Sequence, residues 1–268
     1  MFTRFFYLNL HSILNNKEKK MKKFRFFVLT AALVSAFAFS SCLDSDGDSV
    51  YPSYQCAVTV GPGAFTLYAD NGSVLRPMTT VTGLDKLERA VVAFDLVSES
   101  LNGSELEPGK SYDVKIDPYY SYSIATSTVI DLYENEAAVD SLVNTQDAIN
   151  QIAGFYGAKG YITASISVNF NQGVTPYMNV AYNSKEDIDV QNAKVNLTLY
   201  YDDKSNYGNY SSTSLFSFKL PGDIFRRVNE EVSADSVTVA LNYRSSSMGE
   251  GQKVECKMAK KDLFFTAY

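Results

Sequence analysis

Alternation of apolar and polar residues is the dominant pattern in the second half of the chain. In residues 162–170 every second residue is apolar or Ala, and only Thr, Ser or Asn lies between them. The pattern recurs in residues 195–200 and 237–243, and more briefly in residues 216–220. Successive side chains of a strand point to opposite faces, so the pattern predicts antiparallel sheets with one face on a core and one in water.

The first half of the chain predicts two strand pairs. Residues 65–69 and 73–76 flank Asp70-Asn71-Gly72, and Asn-Gly favours a type I′ turn, so a tight hairpin is expected here. Residues 89–97 and 112–116 predict a second pair joined by a longer loop. Short strands separated by regular turn signals favour a barrel or a sandwich, so the predicted fold class is all-β.

Helical periodicity is scarce. One short connector helix is predicted after Asp223, which has a favoured N-cap residue type. Its apolar face would carry Ile224, Phe225, Val228 and Val232. Residues 147–152 fit either a helical turn or a strand. A composition shift near residues 121–136 predicts a domain boundary, with domains at 55–124 and 125–268.

Residues 1–41 carry the pattern of a leader. A basic start at Met21, Lys22 and Lys23 precedes the apolar run 26–39, and Ser40-Ser41-Cys42 follows it. This end resembles the lipobox of bacterial lipoproteins, which implies cleavage before Cys42 and acylation of that residue. A transmembrane helix is the alternative, but the run is shorter than the roughly 20 apolar residues that a span needs. Met21 is the expected true start.

Residues 42–54 predict a flexible, acidic tether. Asp44, Asp46 and Asp48 alternate with small residues, a composition that cannot bury apolar surface. A calcium loop is the alternative, because the three carboxylates have the right spacing. However, Ser49 lies where that loop needs Gly, and Gln55 where it needs Glu.

Charge and residue content exclude several function classes. Beyond residue 41 the chain keeps 17 of its 24 basic and 29 of its 30 acidic residues, which argues against nucleic-acid binding. The single histidine, His11, lies in the leader, so His-dependent nucleophile systems and most zinc sites are excluded from the mature chain. We therefore expect no enzyme activity, no cofactor and no metal.

Besides Cys42, the predicted mature chain has two cysteines, Cys56 and Cys256, and each lies in an alternating apolar run that predicts an inward-facing side chain. Two outcomes are open. The envelope permits a disulfide between them, or the two residues are buried thiols that act as small apolar side chains.

The chain resembles the NigD-like lipoproteins of Bacteroides-type bacteria. The lipobox carries this resemblance together with residues 65–77, 88–94, 112–116 and 159–163. It implies an N-terminal OB-like barrel, a C-terminal β-sandwich and a role similar to bacteriocin immunity. The acidic tether also resembles an export signal of such bacteria, which implies an outer-membrane lipoprotein at the cell surface, with a periplasm-facing position as the alternative.

Two functions follow as hypotheses. The first is a non-enzymatic module, anchored to the bilayer through acylated Cys42, that binds a protein partner. The second is a glycan-binding accessory protein of a nutrient-uptake system, since both predicted folds present sugars to aromatic side chains. The candidate ligand platform comprises Tyr119, Tyr120, Tyr122, Tyr200, Tyr201, Tyr207 and Tyr210.

Overall fold

The computed structural model describes residues 52–97, 106–143, 147–171, 176–204, 210–246, 251–263 and 265. The leader, Cys42 and Tyr207 lie outside the described residues. Within them the chain forms a closed barrel followed by two packed sheets. The prediction of an all-β fold with an OB-like barrel and a sandwich is confirmed.

The barrel has five strands in the order β1-β2-β3-β5-β4, and β4 returns to pair with β1. Only the β3–β5 pair is parallel among these strands. Alternate residues point inward and form one apolar core, with Val58, Leu67, Val92 and Phe94 at its centre. The strands are β1 (Tyr54–Val60), β2 (Leu67–Ala69), β3 (Val74–Pro77), β4 (Arg89–Leu96) and β5 (Ser111–Ser123).

The predicted hairpin between β2 and β3 is present, but its turn differs from the expectation. The Gly72 amide donates to the Ala69 carbonyl at 2.9 Å, and Gly72 has φ +94° whereas Asn71 is not at positive φ. A type I′ turn needs positive φ at both central residues, so the type I′ prediction was wrong. The Asn71 side chain instead accepts from the Ser73 amide at 3.0 Å, which fixes the turn locally.

The sandwich follows directly, because β5 ends at Ser123 and the next strand begins at Ala125. One sheet has the order β6-β13-β9-β8, and the other has the order β15-β14-β12-β10-β7 with β11 paired to β12. The strands are β6 (Ala125–Thr128), β7 (Ile130–Asp131), β8 (Gln151–Ala158), β9 (Tyr161–Phe170), β10 (Tyr177–Tyr182), β11 (Ile188–Asp189), β12 (Lys194–Asp202), β13 (Tyr210–Lys219), β14 (Ser236–Arg244) and β15 (Gly251–Ala259).

The sandwich is mixed, which corrects the expectation of purely antiparallel sheets. The pairs β8–β9, β9–β13, β10–β12 and β14–β15 are antiparallel, but β7–β10, β6–β13 and β12–β14 are parallel. The β12–β14 pair is parallel because the chain crosses to the other sheet as β13 before a helix returns it beside β12. A parallel pair requires such a crossover connection.

The described residues contain three α-helices, α1 (Glu136–Val143), α2 (Gly222–Glu231) and α3 (Lys260–Leu263), and two short 3₁₀ helices, Pro62–Ala64 and Leu84–Lys86. The predicted connector helix is α2, which buries Ile224 and Val228, but Pro221 and not Asp223 occupies its N-cap. Helix α1 was not predicted. Residues 147–152 are not helical, and β8 begins at Gln151. Across the described ranges no helix has the length and apolar character to cross a membrane.

Two apolar clusters hold the sandwich together. The larger lies between the sheets and includes Ile162, Ile166, Leu197 and Leu241, all fully buried. The smaller lies on the outer face of β10 and β12, where α1 places Leu142 over Tyr200. The alternation along β9 and β12 therefore specifies inward faces correctly, and α1 buries part of a face that alternation alone leaves in water.

Candidate functional site

Arg89 lies at the junction between the barrel and the sandwich. It is the first residue of β4 and is only 1% exposed. The outer face of the sheet β6-β13-β9-β8 meets it there, through the cross-strand neighbours Thr163 on β9 and Ser217 on β13. A buried guanidinium is costly unless its charge is paired and its donors are satisfied.

All five N–H donors of Arg89 have acceptors. Nη1 and Nη2 donate to the two carboxylate oxygens of Asp70 at 2.5 and 2.6 Å, a two-pronged ion pair. Nη1 also donates to Thr59 Oγ1 at 3.0 Å, Nη2 to Thr163 Oγ1 at 3.1 Å, and Nε to Ser217 Oγ at 3.3 Å. Three of these bonds remain within the barrel and two cross to the sandwich.

Further polar contacts complete this junction network. The Tyr156 hydroxyl on β8 donates to Asp70 Oδ2 at 2.8 Å, so Asp70 binds both domains as well. The hydroxyls of Thr163 and Ser217 lie 2.8 Å apart. The ring of Tyr161 lies 5.2 Å from the Arg89 guanidinium carbon, within the range of a cation–π contact.

The electrostatics follow from burial and from this pairing. Burial opposes the charged form of Arg89, but hydrogen bonds and the charge of Asp70 outweigh it and raise the pKa of the guanidinium. Burial, then the charge of Asp70, raises the pKa of the Tyr156 hydroxyl. Burial, then the hydrogen bond to Glu88, raises that of Tyr161. These tyrosines are therefore neutral hydrogen-bond donors at physiological pH.

A second set of contacts borders the network. The Tyr161 hydroxyl donates to Glu88 Oε2 at 2.9 Å. On β2, Tyr68 packs edge-on against Phe265 at 4.8 Å between ring centroids, and Lys159 lies 4.7 Å above the same Phe265 ring. The barrel therefore contacts both the sandwich and the segment after α3, and the junction is both polar and aromatic.

The exposed tyrosines of β5 lie on a bulge, in the case of Tyr119 and Tyr120, or directly after it, in the case of Tyr122. Asp117 pairs with Ala93 and Tyr122 pairs with Val91, so four residues, 118–121, lie opposite the single residue Val92. Such a bulge re-aims side chains away from the sheet. Tyr119 is 93% exposed, Tyr120 39% and Tyr122 52%.

Hydrogen bonds fix the shape of this bulge. The Tyr119 amide donates to Asp117 Oδ1 at 2.8 Å. The Ser121 hydroxyl donates to the Asp117 carbonyl at 2.6 Å and accepts from the Ala93 amide at 3.0 Å. Gln55 Nε2 donates to the Tyr120 carbonyl at 3.3 Å, which joins the bulge to β1. The three tyrosines are thus presented on a preorganised backbone.

Among the remaining predicted platform residues, one is exposed, two are buried and one lies outside the described residues. Tyr210 is exposed at the start of β13 and contacts Phe170 at 6.2 Å between ring centroids. Tyr200 and Tyr201 are buried, which corrects the prediction that they form a ligand platform. Tyr200 packs under α1, and the Tyr201 hydroxyl donates to the Asn169 carbonyl at 2.7 Å. Tyr207 lies outside the described residues.

An acidic cluster that sequence analysis missed lies beside this end of the sandwich. Carboxylate oxygens of Asp147, Asp202 and Asp203 lie within 4.8 Å of one another. Lys204 pairs with Asp202, and its hydrogen bond lowers the pKa of that carboxyl. The Asp203 amide donates to Asp147 Oδ2 at 3.0 Å.

Cys56 and Cys256 are both free thiols in the structure. Cys56 packs against the barrel core and Cys256 against the sandwich core, so they belong to different domains. Burial, with a contribution from the charge of Asp70, raises the pKa of the Cys56 thiol to about 12. Burial raises that of Cys256 to about 12.

Solved structures share this fold. A NigD-like immunity protein from Bacteroides caccae is 18% identical, with a TM-score of 0.53 over 76% of this chain and 93% of that chain. A provisionally named toxin-related protein from Parabacteroides distasonis is 17% identical, with a TM-score of 0.56 over 78% of this chain and 94% of that one.

A provisionally named lipoprotein from Bacteroides fragilis is 10% identical, with a TM-score of 0.55 over 76% of this chain and 97% of that chain. No protein-family profile and no curated protein sequence matches the chain. At these identities the likeness is one of fold. It confirms the predicted resemblance to NigD-like proteins at the level of fold.

Proposed function

We propose that the chain is an envelope lipoprotein, anchored through acylated Cys42, whose body acts as a non-enzymatic binding module similar to an immunity protein. The observation that carries this proposal is the junction network. All five N–H donors of Arg89 bind other groups of the protein, so this buried charge has a structural role. A barrel and a sandwich fixed in this way present a rigid surface, which favours binding because little order is lost on association.

Sequence and fold support the envelope location. The lipobox and the acidic tether imply export and acylation. A fold shared with a NigD-like immunity protein and a provisionally named lipoprotein supports the same class. We place the protein in the outer membrane, exposed at the cell surface.

The anchor is tested by feeding an alkyne-tagged fatty acid to a Bacteroides-type host. The full chain should take up the label, and Cys42→Ala should lose it. Cys56→Ala is the matched control and should keep the label, since its thiol lies in the barrel core. Label on Cys42→Ala, or none on the full chain, would contradict the anchor.

The immunity-like role is tested by survival. A bacteriocin-sensitive strain that expresses the full chain should outlive the empty-vector strain in co-culture with producing relatives. Cys42→Ala at equal abundance should not protect. A chain that gives no protection, and that elutes alone after cross-linking on whole cells, would count against this role.

Glycan binding is the second candidate. Exposed aromatic rings at one end of the sandwich favour it: Tyr210 beside Phe170, and Tyr177 at the start of β10. Glycan arrays should then bind the full chain and lose signal with the Tyr207→Ala/Tyr210→Ala pair. Tyr133→Ala removes an equally exposed ring elsewhere and is the control. If the full chain binds none of the glycans on the array, this candidate function is ruled out.

A further inference from the structure

Exposed apolar side chains lie on the barrel near Ser53, just before β1. The Ser53 amide donates to Asp95 Oδ1 at 2.8 Å, beside the end of β4. At the same end of the barrel Val97 and Met78 are exposed, and their amides donate to successive carbonyls of β5, those of Asp113 and Val114.

The bulge of β5 that carries Tyr119 and Tyr120 is joined to β1 close to Ser53. Gln55, two residues after Ser53, donates its side-chain amide to the Tyr120 carbonyl. The exposed apolar side chains near the chain's start are Met78, Val97, Tyr119, Tyr120 and Tyr122, five of the nine large exposed hydrophobic residues in the described ranges. Met78 and Val97 follow β3 and β4 directly, and the three tyrosines lie on β5, which pairs with both of those strands; we call these five residues the tyrosine rim.

The length of the chain before Ser53 limits how far this rim can lie from the anchor. Ten residues lie between Cys42 and Ser53, and this segment spans at most about 40 Å when fully extended. If Cys42 is acylated, as proposed above, the tyrosine rim is held permanently near the bilayer. A tether of this kind raises the local concentration of a weak contact.

The residue types of the tyrosine rim favour an aromatic contact with the membrane–water interface over electrostatic attraction to anionic lipid. Tyrosine is enriched at membrane–water interfaces because its ring is apolar and its hydroxyl polar. The tyrosine segment, residues 116–123, contains no Lys or Arg, and its one acidic residue, Asp117, accepts the Tyr119 amide. Beside Met78 and Val97, Arg76 is paired with Asp113, and Lys115 is the one further basic residue. Attraction to anionic lipid would require basic residues.

From this position and chemistry we infer that the tyrosine rim docks on the bilayer interface and orients the body of the protein. The inference rests on the proposed anchor at Cys42. Docking would place the barrel wall against lipid. It would leave the end of β9 at Phe170 and the start of β13 at Tyr210 free for a partner. These two residues pair with each other, ten residues along β9 from the junction at Tyr161.

The chain has no tryptophan, so a single introduced one is a unique fluorescent reporter. The test places Tyr119→Trp in the full acylated chain, reconstituted in phosphatidylcholine vesicles that contain lipid brominated near the top of its acyl chains. Tyr177→Trp, at a site 51% exposed on β10, is the matched control. Emission of Y119W should be shifted to the blue and quenched several-fold more strongly than that of Y177W.

Two further variants test the mechanism. Val97→Trp should be quenched like Y119W, and Tyr119→Ser with Tyr122→Ser should reduce quenching of V97W. The quenching should persist from about 0.05 to 0.5 M NaCl, because an aromatic contact is not screened by salt as an ionic one is.

Mass spectrometry of the same samples separates the two proposals. An acylated chain whose Y119W and V97W emission is no more quenched than that of Y177W would overturn docking and leave the anchor intact. A chain without acyl groups would overturn the anchor and the docking that depends on it. Loss of Y119W quenching on addition of a soluble oligosaccharide would assign the rim to glycans and overturn the inference.

Discussion

Arg89 and Asp70 form a two-pronged ion pair, with nitrogen–oxygen distances of 2.5 and 2.6 Å, at the junction of the two domains. Arg89 begins β4, and Asp70 lies in the turn between β2 and β3. Both belong to the barrel, yet each also binds the sandwich, through Thr163 and Ser217 on one side and Tyr156 on the other. One ion pair thus links β4 to the β2–β3 turn within the barrel, and both of its members bind the sandwich.

Loss of either partner should destabilise the whole protein. Asp70→Asn leaves the buried charge of Arg89 unpaired, and Arg89→Ala leaves Asp70 and the hydroxyl partners of Arg89 without its donors. We expect either change to cost about 3–5 kcal/mol in the free energy of unfolding. Urea denaturation followed by circular dichroism measures it. Arg76→Ala breaks the exposed pair with Asp113 and is the control, with an expected change of less than about 1 kcal/mol. Equal stability of Arg89→Ala and Arg76→Ala would contradict the role of the network.

Gly157 is required by close packing between β8 and β15. A Cβ atom there would lie 2.6 Å from Met258 Sδ and 3.2 Å from Met258 Cβ. Met258 is buried, and its Cβ can move only with the backbone of β15, so Gly157→Ala should cost about 1–3 kcal/mol through overpacking. Thermal unfolding measures the change.

Two controls make this packing prediction specific. Gly251→Ala meets nothing within 4 Å and should leave stability nearly unchanged. In a Met258→Ala background the added Gly157→Ala should cost less than it does alone, because the clashing side chain is absent. Equal costs in both backgrounds would refute the proposed clash.

Glu255 should titrate at unusually low pH. Hydrogen bonds from Lys194, then from Lys253, lower its pKa from 4.5 to about 2. Its folded-state pKa is depressed, so its stabilising contribution is present above pH 4.5 and is lost as the pH falls toward about 2. Carbon-13 NMR of the carboxyl should give the midpoint directly.

The same NMR titration tests the cause of the shift. Lys194→Ala with Lys253→Ala should return the midpoint of Glu255 toward 4.5. High salt should move it in the same direction, since Glu255 and Lys253 are exposed to solvent and Lys194 is partly exposed. A midpoint that neither change moves would show that the lysines are not responsible.

Cys56 and Cys256 should react slowly in the native protein. Their pKa values are raised to about 12, so at pH 8 both are neutral thiols, and the thiolate is the reactive form. Iodoacetamide should label them only after unfolding in urea, without reductant. Rapid native labelling, or a denatured protein with neither thiol free, would contradict the structure.

The β2–β3 hairpin and α2 could be predicted because local residues decide them. Asn71 and Gly72 form the turn between β2 and β3 through their own side chain and backbone, and Ile224 and Val228 give α2 its buried face. What local residues did not reveal was α1, which covers Tyr200 and removes it from the candidate platform.

By itself the sequence determined the class of the fold and the longest alternating strands with their inward faces, as in residues 162–170, 195–200 and 237–243, because alternation reports which residues share a face. It did not predict β6, β7, β10 or β11. It also predicted that the opposite faces meet water, and at Thr163 and Ser217 the tertiary structure decided otherwise, since the barrel covers both residues. Arg89 finds its acceptors at sequence separations of 19 to 128 residues. Periodicity specifies which face a side chain takes, but only the packing of distant segments decides what covers that face.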